Sequence, residues 1–304
     1  MTSTSPLQPQ RPPDLDDMAR GLEATGDYKV LRRLVPREPS ASVGPSERVG
    51  LIIDLETTGL DTAKDEVIEL AAIKFRYDQS DAITGVTGIF QAFNQPSGSI
   101  PAEVTRLTGI TDEMVAGCKI DADALVDFVA DAGVVIAHNA GFDRKFAERF
   151  WPTFETKNWA CSASQVDWKA HGFGGAKLAY LLSEIGLFHN AHRAIDDCHA
   201  LLEVLAHPLP TNSASALAEL LDRARRRAFR IWAENAPFDL KEVLKKRGYR
   251  WSDGSDGSPR AWHIEVDESI RETELDYLRR EIYQRDIDLR CQAVTARERF
   301  SARR

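Results

Sequence analysis

Residues 49–60, VGLIIDLETTGL, constrain the fold more than any other part of the chain. The six residues from Val49 to Asp54 are apolar apart from Gly50 and the aspartate, which predicts a short strand buried on both faces. Glu56 follows Asp54 by two positions, so both carboxylates point to the same side of an extended backbone. Such carboxylates repel each other and lose hydration, and a divalent cation with oxygen ligands compensates for both costs. We therefore expect a metal site at the end of this strand.

Two aspartates further along the chain are candidates for the remaining ligands. Asp143 lies within HNAGFD, in the first turn of a predicted helix that follows a short apolar strand. Asp197 lies within HRAIDDCHA, at the start of another predicted helix, and we expect Asp196 to cap that helix and leave Asp197 free. An aspartate at a helix start is usually a cap or a partner of the helix dipole, so neither residue predicts a ligand by itself.

His192 precedes Asp197 by five residues and lies in the loop before the last helix of this region. A loop histidine close to clustered carboxylates can titrate near neutrality and accept a proton from a metal-bound water. Taken alone, the residue is equally compatible with a solvated surface histidine.

Alternating strands and helices predict an α/β layered fold for residues 47–208. Predicted strands span residues 49–54, 67–76, 88–94 and 134–137, and predicted helices span 122–130, 142–150, 177–186 and 197–206. The preceding residues 1–46 are predicted to be largely disordered or accessory, with a short helix over 14–24, a strand over 28–34 and a linker over 36–45. Residues 214–304 are predicted to form a small α+β C-terminal domain, with helices over 214–233, 241–246 and 269–283 and a hairpin over 247–266.

The composition describes a globular chain, with 43% hydrophobic and 28% charged residues. The net charge of −8 is uneven, because residues 214–304 hold 20 basic and 17 acidic residues whereas the preceding part holds 19 and 30. Four cysteines without CxxC spacing favour neither a zinc site nor a disulfide framework. No apolar run is long enough to span a membrane and no secretory signal is recognisable, so a cytoplasmic location is the default expectation.

The motifs DxETTG, HNxxFD and HxAxxD, in this order, resemble those of the DEDDh 3′–5′ exonucleases. That family includes the proofreading epsilon subunit of bacterial DNA polymerase III, RNase T and oligoribonuclease. The resemblance implies a ribonuclease H-like fold, a mixed five-stranded sheet flanked by helices. It also implies two Mg²⁺ or Mn²⁺ ions, one held by Asp54, Glu56 and Asp197, and a second held near Asp143 with Asp54 as the bridge. His192 would be the general base.

The same resemblance assigns four residues to the substrate. Thr57 matches the position near the terminal 3′-hydroxyl, Leu60 the side chain that wedges beside the last base, and Phe142 a neighbouring pocket wall. Asn139, in the second motif, joins this substrate-binding set. For Leu60 and Phe142, ordinary core packing is an almost equally good interpretation.

The resemblance does not extend to residues 214–304. There, LKKRGYRW and a later tryptophan are similar to a small module found beside various DNA enzymes, and basic residues interleave with aromatic ones. We expect the basic helix over 241–246 to contact nucleic acid and Trp251 and Trp262 to be buried in a small core. Deleting the residues after Asn212 is then expected to weaken affinity for long substrates and to spare turnover of dinucleotides.

The leading functional prediction is a metal-dependent 3′–5′ exonuclease that releases nucleoside 5′-monophosphates, acting on nucleic acid with a free 3′ end, with DNA favoured. An RNA or oligoribonucleotide exonuclease is the first alternative. A catalytically inactive nucleic-acid-binding protein is a remote alternative, because all five predicted catalytic positions are present. A nucleotide-cofactor fold is excluded, since no glycine-rich phosphate loop follows the first strand.

Overall fold

The computed structural model describes residues 14–40, 47–254 and 257–303. The strands are, in chain order, β1 (Arg32–Arg33), β2 (Arg48–Thr57), β3 (Val67–Tyr77), β4 (Ile83–Phe93), β5 (Val134–Ala137), β6 (Trp159–Cys161), β7 (Leu187–Phe188), β8 (Ala228–Ala233), β9 (Arg250–Trp251), β10 (Trp262–Asp267) and β11 (Cys291–Val294). The α-helices are α1 (Leu15–Glu23), α2 (Ala102–Thr108), α3 (Asp112–Val115), α4 (Ala122–Val129), α5 (Ala140–Phe150), α6 (Ser162–Gln165), α7 (Leu178–Glu184), α8 (Ala194–Ala206), α9 (Ala216–Arg225), α10 (Lys241–Lys246) and α11 (Arg271–Tyr277). Short 3₁₀ segments cover Pro152–Thr156, Phe238–Leu240 and Glu268–Ile270, and a π-helical turn covers Leu278–Tyr283.

A mixed five-stranded sheet in the order β4-β3-β2-β5-β6 forms the centre of the molecule. Strands β4, β3 and β2 are antiparallel neighbours, whereas β2, β5 and β6 run parallel. This arrangement confirms the α/β fold with a mixed sheet flanked by helices that the sequence predicts. Strand β5 pairs with β2 only from Gly50 to Ile52, so the last part of β2 extends beyond its parallel neighbour.

The two faces of the sheet are covered by different helices, as the alternation of side chains along β2 requires. Leu51, Ile53 and Leu55 belong to a buried cluster that includes residues of α4 and α5. Ile52 faces the opposite side, in a cluster that includes residues of α7, α8 and α9. Both faces of β2 are therefore buried, and its even-numbered residues from Ile52 onward point towards the layer of α8.

The N-terminal segment carries the predicted helix, α1, but only two residues of the predicted strand. These two residues form β1, which pairs in parallel with β7. Because β7 directly follows α7, this pairing joins the N-terminal segment to the layer of helices on one side of the central sheet. Residues 1–13 and part of the predicted linker lie outside the described residues. The proposed domain boundaries at 46/47 and 208/214 stay predictions. Within the described ranges, no helix is long and apolar enough to cross a membrane.

The C-terminal part forms a second, four-stranded sheet in the order β11-β8-β10-β9. The predicted helix over 214–233 is wrong in its second half, because α9 ends at Arg225 and the mostly buried sequence AFRIWA forms the inner strand β8. The hairpin is confirmed, since β9 and β10 pair antiparallel. Strand β11 follows the last predicted helix, in a part of the chain for which the sequence analysis gives no strand. Trp251 is 51% exposed, so its predicted burial is wrong, whereas Trp262 is half-buried.

A fully buried arginine joins the end of the chain to the central sheet region. Arg144, on α5, has an exposed fraction of 0% and donates hydrogen bonds to the backbone carbonyls of Ala296, Arg297 and Arg299. Its Nε also donates to Glu148 at 2.6 Å. A buried guanidinium is tolerated only when its donors are satisfied. Most of the acceptors here come from the end of the chain, beginning with Ala296, which is 152 residues away from Arg144 in the sequence.

The same tail covers the edge of the central sheet. The backbone N–H of Trp159, on the edge strand β6, donates to the carbonyl of Ala296 at 2.8 Å. Arg303 and Ser301 both donate to the buried Glu148. These contacts change the expectation for a chain cut after Asn212. Such a cut deprives Arg144 of the carbonyl groups that residues 296–299 offer to it. We therefore expect the cut to impair α5, the helix that carries Asp143, as well as the binding of long substrates.

We predict that Arg144→Met lowers the free energy of unfolding by about 3–5 kcal/mol, because it leaves buried carbonyls and Glu148 without their shared donor. Urea unfolding followed by circular dichroism measures the change. Arg223→Met is the matched control, since Arg223 makes only partly exposed ion pairs and is expected to cost less than about 1 kcal/mol. Equal losses in the two variants would contradict the anchoring role of Arg144.

Candidate active site

The exposed end of β2 carries two carboxylates on one face of the sheet. Asp54 lies opposite Ala71 on β3, and Glu56 lies opposite Glu69. Both point to the same side as Ile52, towards the layer of α8, and both lie beyond the last residue of β2 that pairs with β5. The predicted same-side arrangement is thus present, at the position where the shorter parallel strand leaves space.

Helix α8 brings Asp197 to these two residues. One carboxylate oxygen each of Asp54, Glu56 and Asp197 lies within 4.8 Å of the others. The Asp197 Oδ2 atom accepts a hydrogen bond from the backbone N–H of His192 at 2.9 Å. The predicted cap at Asp196 is wrong, because α8 begins three residues earlier than expected, with Arg193 as its N-cap residue and no capping side chain of its own.

Asp143 approaches the same place from the other helical layer. Helix α5 begins directly after β5, and Asp143 in its first turn is only 3% exposed. Its charge acts directly on Asp54, and the backbone of Leu55 beside Asp54 stabilises its ionised form. The four acidic residues predicted from distant parts of the sequence therefore meet at one end of the central strand.

Burial and mutual repulsion change the acidity of these groups. Burial raises the pKa of Asp54 well above its ordinary value, and the charges of Asp143, Asp197 and Glu56 raise it further. Burial, with the charges of Asp197 and Glu69, raises the pKa of Glu56 to about 8. Burial raises the pKa of Asp143 to about 7. The cluster thus holds fewer negative charges at neutral pH than four ordinary carboxylates would.

The donor set fits divalent cations that prefer oxygen ligands. All four groups are carboxylates, and the one neighbouring cation that lowers the pKa of Glu56 is Arg193. That single guanidinium does not balance the cluster, so positive charge from bound ions would remove the repulsion that raises these pKa values. Mg²⁺ and Mn²⁺ prefer carboxylate and water oxygen, whereas zinc sites are usually built with histidine and cysteine.

The loop before α8 holds two histidines near Asp197. His192 is exposed and has a φ of 67°, and its backbone rather than its imidazole contacts Asp197. Its role as general base stays a prediction. The sequence analysis missed His189, whose Nε2 lies 2.7 Å from the Asp197 Oδ1 atom and whose side chain is only 4% exposed. Its position at the end of β7 was the one available signal, and that two-residue strand was not predicted.

The loop after β2 is shaped by a close approach to Asp65. A Cβ atom at Gly59 would lie 2.5 Å from the Asp65 carboxylate, so this position requires glycine. The next residue, Leu60, is 84% exposed, which excludes the core-packing interpretation for it. The Thr57 hydroxyl donates to the carbonyl of Gly59 at 2.6 Å.

The other two predicted substrate residues lie at the start of α5. Phe142 is half-buried and packs on Phe146 with ring centroids 4.9 Å apart, so it contributes to the core and keeps part of its surface accessible. Asn139 is the exposed N-cap residue of α5, and its side chain makes no capping hydrogen bond. The substrate roles of all four residues stay predictions.

Comparison with known proteins decides the family. Residues 51–205, just over half of the 304-residue chain, match the family model described as Exonuclease, RNase T. The chain belongs to this exonuclease family. The resemblance to the DEDDh-type exonucleases that the three motifs carry is therefore confirmed.

Two curated relatives of the chain are DNA polymerases of the PolC type by name. The "DNA polymerase III PolC-type" of Caldanaerobacter subterraneus is 30% identical over 165 residues, which cover 51% of this chain and 11% of the relative. That of Latilactobacillus sakei is 41% identical over 99 residues, covering 32% of this chain and 6% of the relative. The chain thus corresponds to about a tenth or less of the length of these relatives.

Solved structures with a similar fold are also exonucleases. Exonuclease X in complex with 5′ overhanging duplex DNA has a TM-score of 0.39 and 22% identity, covering 57% of this chain and 89% of that one. E. coli Exonuclease I in complex with a dA16 oligonucleotide has a TM-score of 0.48 and 14% identity, covering 76% and 68%.

We predict that Asp54→Asn stabilises the metal-free protein at pH 8 and leaves its stability nearly unchanged at pH 5. The pKa values of the cluster are raised in the folded state, so the protonated carboxyl groups favour the folded protein at low pH. This contribution of the cluster to stability is lost as the pH rises from about 4.5 towards about 8. Thermal unfolding in EDTA at pH 8 should show a Tm roughly 3–6 °C higher for Asp54→Asn than for wild type, as expected if the substitution relieves about 1.4 kcal/mol of repulsion.

Mg²⁺ should raise the Tm of the wild-type protein more than that of Asp54→Asn, and more at pH 8 than at pH 5. The control is Asp127→Asn, an exposed residue in α4, which should show no such dependence on pH or Mg²⁺. A Tm difference between wild type and Asp54→Asn that is the same at both pH values would refute the proposed crowding of charge.

Proposed function

We propose that the protein is a metal-dependent 3′–5′ exonuclease that hydrolyses the terminal phosphodiester bond of nucleic acid and releases nucleoside 5′-monophosphates, with DNA as the favoured substrate. Membership of the exonuclease family supports the reaction class. The observation that carries the proposal is the convergence of four carboxylates, on β2, α5 and α8, at one end of the central strand. The direction and the product follow from the DEDDh-type resemblance.

Two Mg²⁺ or Mn²⁺ ions would be held by these carboxylates, one by Asp54, Glu56 and Asp197 and the other by Asp54 and Asp143. When bound, such ions neutralise charge on the scissile phosphodiester and lower the pKa of an attacking water. Asp197 is held in a fixed orientation by hydrogen bonds to both of its oxygens, from the His192 backbone and from His189. Orienting partners of this kind commonly tune ligand geometry and affinity in metal sites.

His192 would accept the proton of the attacking water. Its imidazole is exposed and its backbone is fixed to Asp197, so the side chain can reach the attacking water without moving the ligand. The exposed Leu60 would lie beside the terminal base. Phe142 and Asn139, at the start of α5, would contact the same nucleotide. The Thr57 hydroxyl donates its proton to Gly59, so its oxygen can accept a hydrogen bond from the terminal 3′-hydroxyl.

DNA is favoured because the matched relatives are DNA polymerases by name. RNA or oligoribonucleotide remains the alternative substrate. The two can be separated by experiment, since a 2′-hydroxyl is the only chemical difference at the cleaved nucleotide apart from the methyl group of thymine.

We predict that the purified protein shortens 3′-ended single-stranded DNA in Mg²⁺ or Mn²⁺ and not in EDTA. Incubation with 3′-labelled single-stranded and duplex DNA and RNA, with chromatography of the label released at early times, measures substrate, direction and product. Asp54→Ala should abolish the reaction. His192→Ala should lower kcat by about 10²–10⁴-fold with little change in KM, because a general base acts mainly in the transition state.

Binding of nucleic acid without degradation under every metal condition would support the inactive alternative instead. Faster loss of RNA than of DNA would replace the favoured substrate. Proportional losses of kcat and substrate affinity in His192→Ala would remove that residue from the role of base.

We also propose that α10 and β9 contact the part of the substrate that extends away from the cleaved end. Lys245 and Lys246 are exposed and make no ion pair within the described residues, whereas the neighbouring Arg247 is bound to Glu274. Trp251 packs edge-to-face against Trp262, with ring centroids 5.6 Å apart, and half of its surface stays open. Unpaired lysines beside a fixed, exposed indole ring suit phosphate contact with base stacking.

Lys245→Glu/Lys246→Glu should therefore raise KM for a 20-nucleotide strand and leave turnover of a dinucleotide unchanged. For two lost phosphate contacts, the slope of log affinity against log salt should fall by about 1.4 on single strands. The matched control is Lys119→Glu/Lys169→Glu, which makes the same change in net charge with exposed lysines of the nuclease part. An equal effect of both double variants would point to bulk charge and not to α10.

A further inference from the structure

A fifth acidic residue lies beside the candidate metal ligands, and no predicted role accounts for it. Glu69, on β3, lies opposite Glu56 in the register of the sheet and has an exposed fraction of 0%. Burying a carboxylate in such a place is costly unless hydrogen bonds or an opposite charge compensate. The contacts of Glu69 therefore indicate its role.

Both oxygens of Glu69 are fully used by hydrogen bonds. Oε1 accepts from Gln91 Nε2 at 2.8 Å and from Arg193 Nη2 at 3.1 Å. Oε2 accepts from Arg193 Nε at 3.2 Å and from the backbone N–H of Ala194 at 3.1 Å. A carboxylate has about four acceptor sites, so these bonds leave none for a metal ion. Glu69 is thus unsuited to be a further ligand.

The partners of Glu69 lie between the candidate base and the start of α8. Arg193 follows His192 directly, and its guanidinium also packs over the Phe93 ring, 5.5 Å from the ring centroid. Ala194 is the first residue of α8, and its N–H is one of the helix-start donors that no residue of the helix can satisfy. Glu69 therefore caps α8 from a neighbouring strand.

The clamped loop has a backbone that needs such support. His192 has a φ of 67°, in the left-handed region that side-chain-bearing residues rarely adopt. Residues in this region persist when the surrounding contacts over-determine them. Here the His192 N–H is bound by Asp197 on one side, and the next two residues are bound by Glu69 on the other.

We propose that the Glu69–Arg193 pair is a positioning device for the proposed reaction: it fixes the backbone of His192 over the carboxylate cluster and contacts neither the substrate nor the metal. This inference rests on the proposed function. The pair sets the location of the imidazole relative to β2, because one partner belongs to the strand beside Glu56 and the other is joined to His192 by a single peptide bond.

Glu69→Gln and Arg193→Gln should each lower kcat for a dinucleotide by about 10- to 100-fold, as expected for a misplaced catalytic group. KM should stay within about twofold because neither residue contacts the substrate, and it is measured at saturating Mn²⁺ because both residues act electrostatically on Glu56. The double variant should be no slower than either single variant, since the two residues act as one unit. Arg193→Lys, which keeps the charge and loses the two-point contact, should be intermediate.

The matched control is the pair Arg37–Glu203, which joins the other end of α8 by two hydrogen bonds of 2.6 and 2.8 Å. Arg37→Gln and Glu203→Gln should leave kcat unchanged. A raised KM in Arg193→Gln alone would overturn the positioning role in favour of direct contact with the substrate. Kinetics indistinguishable from the controls would overturn it as well.

Hydrogen exchange gives a readout that does not need catalysis. The amides of His192 and Ala194 should exchange faster in Glu69→Gln and Arg193→Gln than in wild type, and should be unaffected in the Arg37–Glu203 controls. Unchanged exchange would refute the clamp even if the protein is an active nuclease. Faster exchange in these two variants, together with a wild-type protein that degrades no nucleic acid, would instead support the clamp and refute the proposed function.

Discussion

The rest of the structure depends on the cost of holding several carboxylates together where water is largely excluded. Asp54, Glu56 and Asp143 all have raised pKa values, and in each case burial is the largest cause. A chain that folds in spite of this repulsion must stabilise the same region by other means. The hydrophobic residues on both faces of β2 supply that stabilisation, since Leu51, Ile52 and Ile53 are completely buried. The buried apolar residues of β2 thus offset the cost of the carboxylates at the end of the same strand.

The two helices that deliver the remaining aspartates are held by buried hydrogen bonds from charged side chains to different partners. Helix α8 is fixed at its start by Glu69 from within the sheet, whereas α5 is fixed through Arg144 by the end of the chain. In both cases an arginine directly follows a candidate site residue along the chain: Arg144 follows Asp143, and Arg193 follows His192. Placing the fixing contact one residue away restricts the backbone and leaves the functional side chain free.

Much of the fold and most of the candidate site could be predicted because they depend on local patterns. The apolar run ending in Asp54 and the short run over β5 identified two central strands, and the motifs located all four carboxylates. What the sequence could not reveal depends on contacts between distant residues. Asp196 is in a suitable position to cap a helix, but the cap of α8 comes from Glu69, which is 125 residues away from Ala194. His189 was missed because its significance arises only when β7 brings it beside Asp197.

The C-terminal sheet shows the same limit in a different form. The arginines in residues 223–230 favour a long helix by composition, yet Phe229, Ile231 and Trp232 are residue types that favour strands, and AFRIWA forms an inner strand of the second sheet. Tertiary pairing with β10 and β11 overrides the helical pattern there. The residues that follow β11 then return to α5 and β6, so the end of the chain completes the surroundings of Arg144. A C-terminal part joined only by a linker would not need to satisfy a buried guanidinium, and we therefore regard it as part of the framework that holds α5 in place.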